Sequence, residues 1–257
     1  MEVVPVPVRS DNYAYLLIDQ TSKSAAVVDP YDLDKVVAAA DSHQVQITAA
    51  LTTHHHHDHS GGNADFAAKF PDAPIYGGSD KVTALTNLVK DKSEFSLGSI
   101  SIRCLATPCH TQDSICYYAT NTEDPSQPGH VFTGDTLFIG GCGRFFEGTA
   151  AEMHHALSYL GTLPNNTIIS NGHEYTKSNL AFARSIDPNS KGLERLSALV
   201  DQNSITTGLT TIGDEKEWNV FMTLDSSAVR DATRLSLDVP AHLIMQALRD
   251  AKNDFKG

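Results

Sequence analysis

The chain has 257 residues, enough for one large domain or for a core domain with a small appendage. Its 40% hydrophobic and 19% charged residues are typical of a globular protein. A formal net charge of −12 argues against nucleic-acid binding, which depends on basic surface patches. No apolar run approaches the roughly 20 residues that a membrane-spanning helix needs, and no targeting peptide is recognisable. We therefore predict a cytoplasmic protein without a nucleic-acid or membrane partner.

The first thirty residues contain apolar runs rich in β-branched side chains, at 3–8, 13–18 and 25–30, which predict three strands. A segment with helix-forming residues and an acidic first turn follows at 32–43 and predicts a helix. Polar clusters follow the ends of several strands, which places candidate site residues on connecting loops. The further predicted strands are 47–53, 74–78, 101–107, 114–120, 130–137 and 167–173, and the further predicted helices are 64–70, 149–160 and 177–185.

The composition changes after residue 185, where the strand pattern ends. We predict a catalytic domain over 1–185 and a small helical domain over 186–257. Helices are predicted within that second domain at 193–202 and from Val239 onward. The last of these helices carries a predicted apolar stripe of Leu243, Ile244, Ala247 and Leu248.

Four cysteines occur in the sequence, and none of them forms a C-x-x-C pair. In a cytosolic protein such a set predicts reduced and mostly buried thiols. Cys109 could instead be a metal ligand, because it directly precedes His110. Ligands with better spacing occur elsewhere in the chain, so we predict that Cys109 does not bind metal.

The segment THHHHDH, from Thr53 to His59, contains five of the twelve histidines of the chain. A solvated loop or a purification tag could have a similar composition. Tags lie at chain termini, however, and this segment lies between a predicted strand and a predicted helix. Histidine and aspartate are common metal ligands in proteins. The segment therefore predicts a metal site.

Spacing separates the histidines of this segment into two groups. His54 and His56 are two residues apart at the end of a predicted strand, where a period of two puts them on the same side. Asp58 and His59 follow, and they can turn toward a second ion. The histidines predicted to point elsewhere are His55 and His57.

Three further candidate ligands, His110, Asp135 and His173, each follow a predicted apolar strand. A lone histidine at a strand end is more often structural, so each is a weak indication by itself. Together with the first cluster they complete a ligand set for two metal ions. Imidazole and carboxylate ligands suit zinc, iron or manganese, and the ligand types alone do not choose among these ions.

The order T-H-x-H-x-D-H, then a histidine, an aspartate and a last histidine, resembles the metallo-β-lactamase fold. Longer segments, SDNYAYLL, GDTLFIGGCGRFFEG, GHEYT and the tail RDAK, resemble glyoxalase II, the hydroxyacylglutathione hydrolase family. The resemblance covers nearly the whole chain. It implies an α+β fold: a metallo-β-lactamase-like αβ/βα sandwich of two sheets flanked by helices, with a small C-terminal helical domain that binds substrate.

The resemblance also implies two divalent metal ions per chain, zinc being expected first and iron or manganese being alternatives. It implies that Asp58 and Asp135 are catalytic and that a metal-bound hydroxide attacks a thioester. Asp29 is implied as a buried support behind the ligand loop, and a capping carboxylate in a turn is the alternative. The implied ligands are His54, His56 and His110 for the first ion, Asp58, His59 and His173 for the second, and Asp135 as the bridge.

The reaction implied by the resemblance is hydrolysis of S-D-lactoylglutathione and related S-(2-hydroxyacyl)glutathiones to glutathione and D-lactate, the second step of methylglyoxal detoxification. A monomer is expected.

The family often has Lys and Tyr where this chain has Arg144 and Phe146; arginine keeps the charge, but phenylalanine offers no hydroxyl. For Arg249 and Lys252 the alternative is a solvated helix face. The residues implied to bind substrate are Arg144, Phe146, Tyr175, Arg249 and Lys252.

Other functions remain open at the level of the sequence. Within the same fold, a lactonase or a persulfide dioxygenase is the nearest alternative, and the dioxygenase is expected to hold one iron ion. A nucleic-acid-processing enzyme of the same superfamily is disfavoured by the acidic charge. A catalytically silent binding module is disfavoured by the complete ligand set. Metal content and thioester turnover distinguish these alternatives.

Overall fold

The computed structural model describes residues 1–236 and 238–256. The strands are β1 (Glu2–Pro7), β2 (Tyr13–Asp19), β3 (Ser24–Val28), β4 (Gln46–Leu51), β5 (Ile75–Gly77), β6 (Asn87–Leu88), β7 (Glu94–Leu97), β8 (Ile100–Ala106), β9 (Ile115–Asn121), β10 (His130–Gly134), β11 (Leu137–Phe138), β12 (Gly141–Cys142) and β13 (Ile168–Asn171). The helices are α1 (Leu33–Ser42), α2 (His57–Ser60), α3 (Asn63–Lys69), α4 (Ala150–Leu160), α5 (Thr176–Ile186), α6 (Lys191–Gln202), α7 (Ile212–Trp218), α8 (Ser227–Thr233) and α9 (Ala241–Asp254).

The chain divides into two compact units. The first comprises residues 1–106, 113–134 and 170–173, and the second comprises residues 107–112, 135–169 and 174–257. Each unit is compact and combines segments that are separate in the sequence. The division into a catalytic domain over 1–185 and a helical domain over 186–257 therefore stays a prediction.

In the first unit, one sheet has the strand order β1-β2-β3-β4-β5-β6. The strands pair antiparallel from β1 to β3 and parallel from β3 to β6. Strand β2 is buried along its whole length, and its side chains alternate between two cores. Tyr13, Tyr15 and Leu17 face one core, whereas Ala14, Leu16 and Ile18 face the other.

A second sheet has the strand order β13-β10-β9-β8-β7. Side chains of this sheet, such as Ile102, Tyr117 and Phe132, pack with Leu17 of the first sheet in one hydrophobic core. The other core lies between the first sheet and its helices, where Val36 of α1 and Phe66 of α3 are fully buried. The predicted sandwich of two sheets is thus confirmed within this unit, with α1 and α3 on its outer face.

The second unit is mainly helical. Helix α4 packs against α9, and α6 packs against both α5 and α7. Strands β11 and β12 form a small antiparallel hairpin. All four cysteines of the chain are buried thiols, as predicted. No helix in the described part of the chain has the length and apolar character needed to cross a membrane.

The predicted apolar stripe of α9 is wrong at one position. Leu243 is 49% exposed, whereas Ile244 and Leu248 are buried as predicted. The buried face of α9 is rotated by about one residue relative to the predicted stripe. Met245 and Arg249, one turn apart, complete the buried face instead of Leu243.

Candidate active site

The histidine-rich segment follows β4 and enters α2, so its side chains lie at the end of a buried strand of the first unit. His54 and His59 are each 1% exposed. His57 is exposed, and its ring lies edge-on to Tyr31 with 5.7 Å between centroids. His55 faces Asp113, with 2.8 Å between Nδ1 and Oδ1. His55 and His57 thus point to other residues, as the spacing predicts.

The carboxylate of Asp29 holds the histidine-rich segment in place through buried contacts. Asp29 is 3% exposed and follows β3 in a left-handed conformation with φ of 51°. Its carboxylate accepts hydrogen bonds from the backbone N–H and the hydroxyl of Thr53, each at 2.7 Å. It also lies 2.9 Å from Nδ1 of His59. The Asp29 carboxylate therefore supports the loop, and the alternative of a simple turn cap does not account for these contacts.

The contact with Asp29 determines which nitrogen of His59 is protonated. A carboxylate accepts hydrogen bonds only, so Nδ1 of His59 carries the proton and Nε2 keeps a lone pair. His173, which follows β13, is oriented in the same way, because its Nδ1 lies 3.1 Å from Oδ1 of Asp11. The two Nε2 atoms face each other at 3.3 Å.

Asp58 adds a carboxylate to this pair. Its Oδ2 lies 3.5 Å from Nε2 of His173 and 3.9 Å from Nε2 of His59. One ligand atom from each of these three residues lies within 4.8 Å of the other two. Two nitrogen lone pairs and an anionic oxygen that converge in this way suit a divalent cation. The residues present therefore fit a metal ion.

His54 and His56 bring two more nitrogens together, with 3.1 Å between Nε2 of His54 and Nδ1 of His56. Nδ1 of His54 lies 3.1 Å from the hydroxyl oxygen of Thr53, whose hydrogen is donated to Asp29. Nδ1 of His54 is therefore the donor, and its Nε2 keeps a lone pair. The first unit thus holds five of the seven predicted metal ligands: His54, His56, Asp58, His59 and His173.

The other two predicted ligands, His110 and Asp135, lie in the second unit. Nδ1 of His110 donates to the backbone carbonyl of Arg144 at 3.0 Å, which leaves the lone pair on Nε2. That Nε2 lies 3.4 Å from Oδ2 of Asp135. The lone pair of His110 Nε2 and the carboxylate oxygen of Asp135 face each other, and this arrangement favours the binding of a cation.

A cavity of about 410 Å³ in the second unit is lined by His110 and Asp135. The β11–β12 hairpin forms part of its wall through Phe138 and Cys142. Phe138 packs edge-on against Tyr175, with 5.2 Å between ring centroids. The cavity brings together all five residues predicted to bind substrate: Arg144, Phe146, Tyr175, Arg249 and Lys252.

Arg249 is 6% exposed, so a solvated helix face is wrong for this residue. Its guanidinium donates to the carbonyl of Cys142 at 3.0 Å and lies 5.6 Å from the ring centroid of Phe221. The Nε atom of Arg249 is buried and makes no hydrogen bond within the described residues. Burial lowers the pKa of Arg249, although the group stays charged at neutral pH.

Lys252 lies one turn further along α9. Its ammonium donates to the carbonyl of Ser178 at 2.8 Å. It also lies 5.3 Å and 5.8 Å from the ring centroids of Phe182 and Phe255. Burial, and then the nearby charge of Arg249, lower the pKa of Lys252 to about 8. Its charge therefore depends on pH in the neutral to mildly alkaline range.

Phe146 is 61% exposed, and its ring centroid lies 5.1 Å from that of His110. An exposed aromatic ring beside a predicted metal ligand offers an apolar surface to a bound molecule. The phenyl ring has no hydroxyl with which to make a hydrogen bond. Phe146 thus contributes an apolar ring to the lining of the cavity.

Several site residues were not predicted from the sequence. Asn12 donates from Nδ2 to Oδ2 of Asp58 at 3.0 Å, and Asp11 orients His173. Asn179 lines the cavity and donates to the carbonyl of Ile139 at 3.1 Å. The signal for Asp11 and Asn12 was present, since two polar residues directly precede a predicted apolar strand. The cavity residues on α5 carry no comparable signal.

A family model described as the metallo-beta-lactamase superfamily matches residues 9–173, and one described as the hydroxyacylglutathione hydrolase C-terminus matches residues 174–255. A probable hydroxyacylglutathione hydrolase of Schizosaccharomyces pombe is 44% identical to this chain, and the match covers 98% of each of the two chains. The cytoplasmic hydroxyacylglutathione hydrolase of Arabidopsis thaliana is 42% identical and covers 100% of both. The crystal structure of ETHE1 from Myxococcus xanthus has a TM-score of 0.67 at 25% identity, covering 98% of this chain and 97% of that one.

These comparisons confirm the predicted fold class, a metallo-β-lactamase-like αβ/βα sandwich with a C-terminal helical region. The superfamily match and the clusters of histidine and aspartate together indicate a site for a divalent metal ion.

Proposed function

The chain belongs to the hydroxyacylglutathione hydrolase family, within the metallo-β-lactamase superfamily, and we propose from this that S-D-lactoylglutathione is its substrate. The products are glutathione and D-lactate, and related S-(2-hydroxyacyl)glutathiones are cleaved in the same way. The enzyme is a thioester hydrolase and serves the second step of methylglyoxal detoxification. The names of its relatives in yeast and Arabidopsis support this substrate class.

Two divalent metal ions per chain are part of the proposal, with zinc first and iron or manganese as alternatives. When bound, such ions supply Lewis-acid chemistry and lower the pKa of water to about 7. The lone pairs described above support the assignment of the ligands. The proposed sets are His54, His56 and His110; Asp58, His59 and His173; and Asp135 between them.

The residues of the chain itself prepare the site by orienting three histidines. In each of three histidines, Nδ1–H donates a hydrogen bond to an oxygen, and Nε2 stays available as a ligand. The accepting oxygens belong to Asp29, Asp11 and the carbonyl of Arg144. The leaving group is a thiolate whose parent pKa is about 8.5, so it needs little help from a general acid. A separate acid residue is therefore not required for the departure of glutathione.

The observation that carries the proposal is the composition of one cavity. It joins two predicted metal ligands, His110 and Asp135, to the cations Arg144, Arg249 and Lys252 in a chain of net charge −12. Local cations of this kind are needed to attract an anionic substrate to an acidic protein. The carboxylates of glutathione are suitable partners for them.

A direct assay tests the proposal. Metal-replete protein should release thiol from S-D-lactoylglutathione, and D-lactate should appear in equal amount. A lactoyl thioester of a small thiol should be a much poorer substrate, because it lacks the glutathione carboxylates. Folded, metal-replete protein that releases no thiol, but opens lactones or consumes glutathione persulfide, would contradict the assignment.

The pKa of Lys252 leads to a prediction about pH. Below about pH 7 the ammonium is charged, so Lys252 causes no change in KM for the glutathione thioester there. As pH rises through about 8, Lys252 loses its proton and KM should rise. Lys252→Met should have a raised KM that no longer increases as pH rises through about 8. Steady-state kinetics from pH 6 to pH 9 measure the effect, and a wild-type KM that stays level throughout would remove Lys252 from the binding site.

We also propose a monomeric protein of the cytoplasm. The Arabidopsis relative carries the word cytoplasmic in its name, which supports the location. Sedimentation equilibrium tests the oligomeric state, and cell fractionation tests the location.

A further inference from the structure

Glu215 is a fully buried carboxylate on α7 that the reaction described above does not use. It accepts hydrogen bonds from the indole N–H of Trp218, the side-chain amide of Asn219 and the backbone N–H of Gly140, each at 2.8 Å. A buried carboxylate is costly even when it is hydrogen-bonded. The presence of one on a short helix therefore calls for an explanation beyond packing.

Two of these bonds lead to the β11–β12 hairpin. Gly140 occupies the turn of the hairpin with φ of 68°. The amide of Asn219, held by Glu215, also donates to the carbonyl of Gly141 at 3.0 Å and approaches the carbonyl of Phe138 at 3.4 Å. Glu215 thus holds the turn directly through Gly140 and indirectly through Asn219.

The same hairpin is part of the wall of the proposed substrate cavity. Phe138 and Cys142 line the cavity, and the carbonyl of Cys142 accepts the hydrogen bond from Arg249. Asn179, another lining residue, donates to the carbonyl of Ile139 in the turn. The hairpin therefore lies between Glu215 on one side and the proposed glutathione-binding residues on the other.

We propose that Glu215 is a positioning residue, which fixes the β11–β12 hairpin and thereby Arg249 for binding of the glutathione part of the substrate. This inference rests on the proposed function. Burial raises the pKa of Glu215 to about 7, and the three donors around it favour the ionised form, which can accept all three bonds. Loss of the carboxylate frees the turn and loosens the contact between Cys142 and Arg249.

The test compares Glu215→Ala with the isosteric Glu215→Gln. In Glu215→Ala, KM for the glutathione thioester should rise about tenfold, the equivalent of one charge-assisted hydrogen bond to the substrate, while kcat changes little. KM for the small thioester should not change. Glu215→Gln keeps one acceptor oxygen for Gly140 and Asn219, so it should recover most of the lost affinity.

Hydrogen exchange measured by mass spectrometry reports on the hairpin without reference to catalysis. The peptide that contains Gly140 should exchange faster in Glu215→Ala, and nearly at the wild-type rate in Glu215→Gln. If Glu215→Ala does not fold, Asn219→Ala replaces it, because it removes the amide bonds to Phe138 and Gly141. The same rise in KM and the same faster exchange are expected for it.

Thr211→Ala is the matched control on the same helix. Thr211 caps α7 through a reciprocal pair of hydrogen bonds with Asp214, so its loss should lower the melting temperature and leave KM unchanged. Equal effects of Thr211→Ala and Glu215→Ala on KM would show that Glu215 is merely structural and overturn the inference. Unchanged exchange at Gly140 in Glu215→Ala would also overturn it. If wild-type protein releases no thiol, only the proposed function is refuted. The exchange measurement still tests whether Glu215 holds the hairpin.

Discussion

Asp135→Ala is expected to reduce thioester hydrolysis by roughly a thousandfold or more. The reason is that Asp135 is proposed to bridge two metal ions, which stabilise a transition state by several kcal/mol, and about 1.4 kcal/mol corresponds to one decade in rate. Metal content should also fall below two ions per chain. Elemental analysis of purified protein, together with steady-state kinetics on the same preparation, measures both effects.

His57→Ala is the control for this experiment. His57 is exposed and lies against Tyr31, so its removal should leave metal content and kcat near the wild-type values. The comparison separates loss of a ligand from general damage to a histidine-rich loop. Asp135→Ala that retained two ions per chain would exclude the bridging role, even if its activity were low.

Arg249→Ala should raise KM for S-D-lactoylglutathione by about ten- to a hundredfold. A charge-assisted hydrogen bond contributes about 1.5–3 kcal/mol, and about 1.4 kcal/mol is one decade in affinity. Arg249 is proposed to act on the glutathione part and not on the thioester, so kcat should change much less than KM. Because Arg249 is buried and donates to the carbonyl of Cys142, the melting temperature should fall as well.

The small thioester without glutathione distinguishes binding from stability in Arg249→Ala. Its turnover should not respond to the substitution under conditions where both proteins are folded. Metal content should match that of the wild type, since Arg249 is not a proposed ligand. An equal loss with both substrates would mean that Arg249 maintains the structure and does not bind glutathione.

The sequence predicted the fold well where the pattern is strong. Strand β2 carries an uninterrupted apolar run, and its neighbours in the chain carry β-branched residues, so these strands were found nearly at their true bounds. Helices α1, α4 and α5 follow from helix-forming residues next to clear turn signals. Strong local preference and tertiary burial agree in these elements.

The elements that were not predicted are short. Helices α7 and α8 have seven residues each, which is too few to display a stable apolar period. A capping box at Thr211 and Asp214 was nevertheless readable as the start of α7. Strands β11 and β12 have two residues each, and their hairpin depends on bonds to distant residues such as Glu215, which no local pattern reveals.

The candidate site shows the same division between local and distant signals. The ligand types and spacing around His54 and Asp58 were visible in the sequence, because one loop carries them. Burial of Arg249 was not visible, because an arginine on an amphipathic helix is usually exposed. The partners that orient the histidines, Asp11 among them, are distant in the chain, and only folding brings them to the site.

Asp29 combines an unfavourable local backbone conformation with contacts that its carboxylate provides. A non-glycine residue with φ of 51° is strained, and glycine or asparagine would adopt that conformation more readily. Neither of them offers an anionic carboxylate that accepts from both Thr53 and His59. Replacing Asp29 would therefore relieve backbone strain but leave buried donors of Thr53 and His59 without their acceptor, at a cost of about 1–3 kcal/mol each. The chain retains a locally unfavourable backbone because Thr53 and His59, a proposed metal ligand, depend on the side chain attached to it.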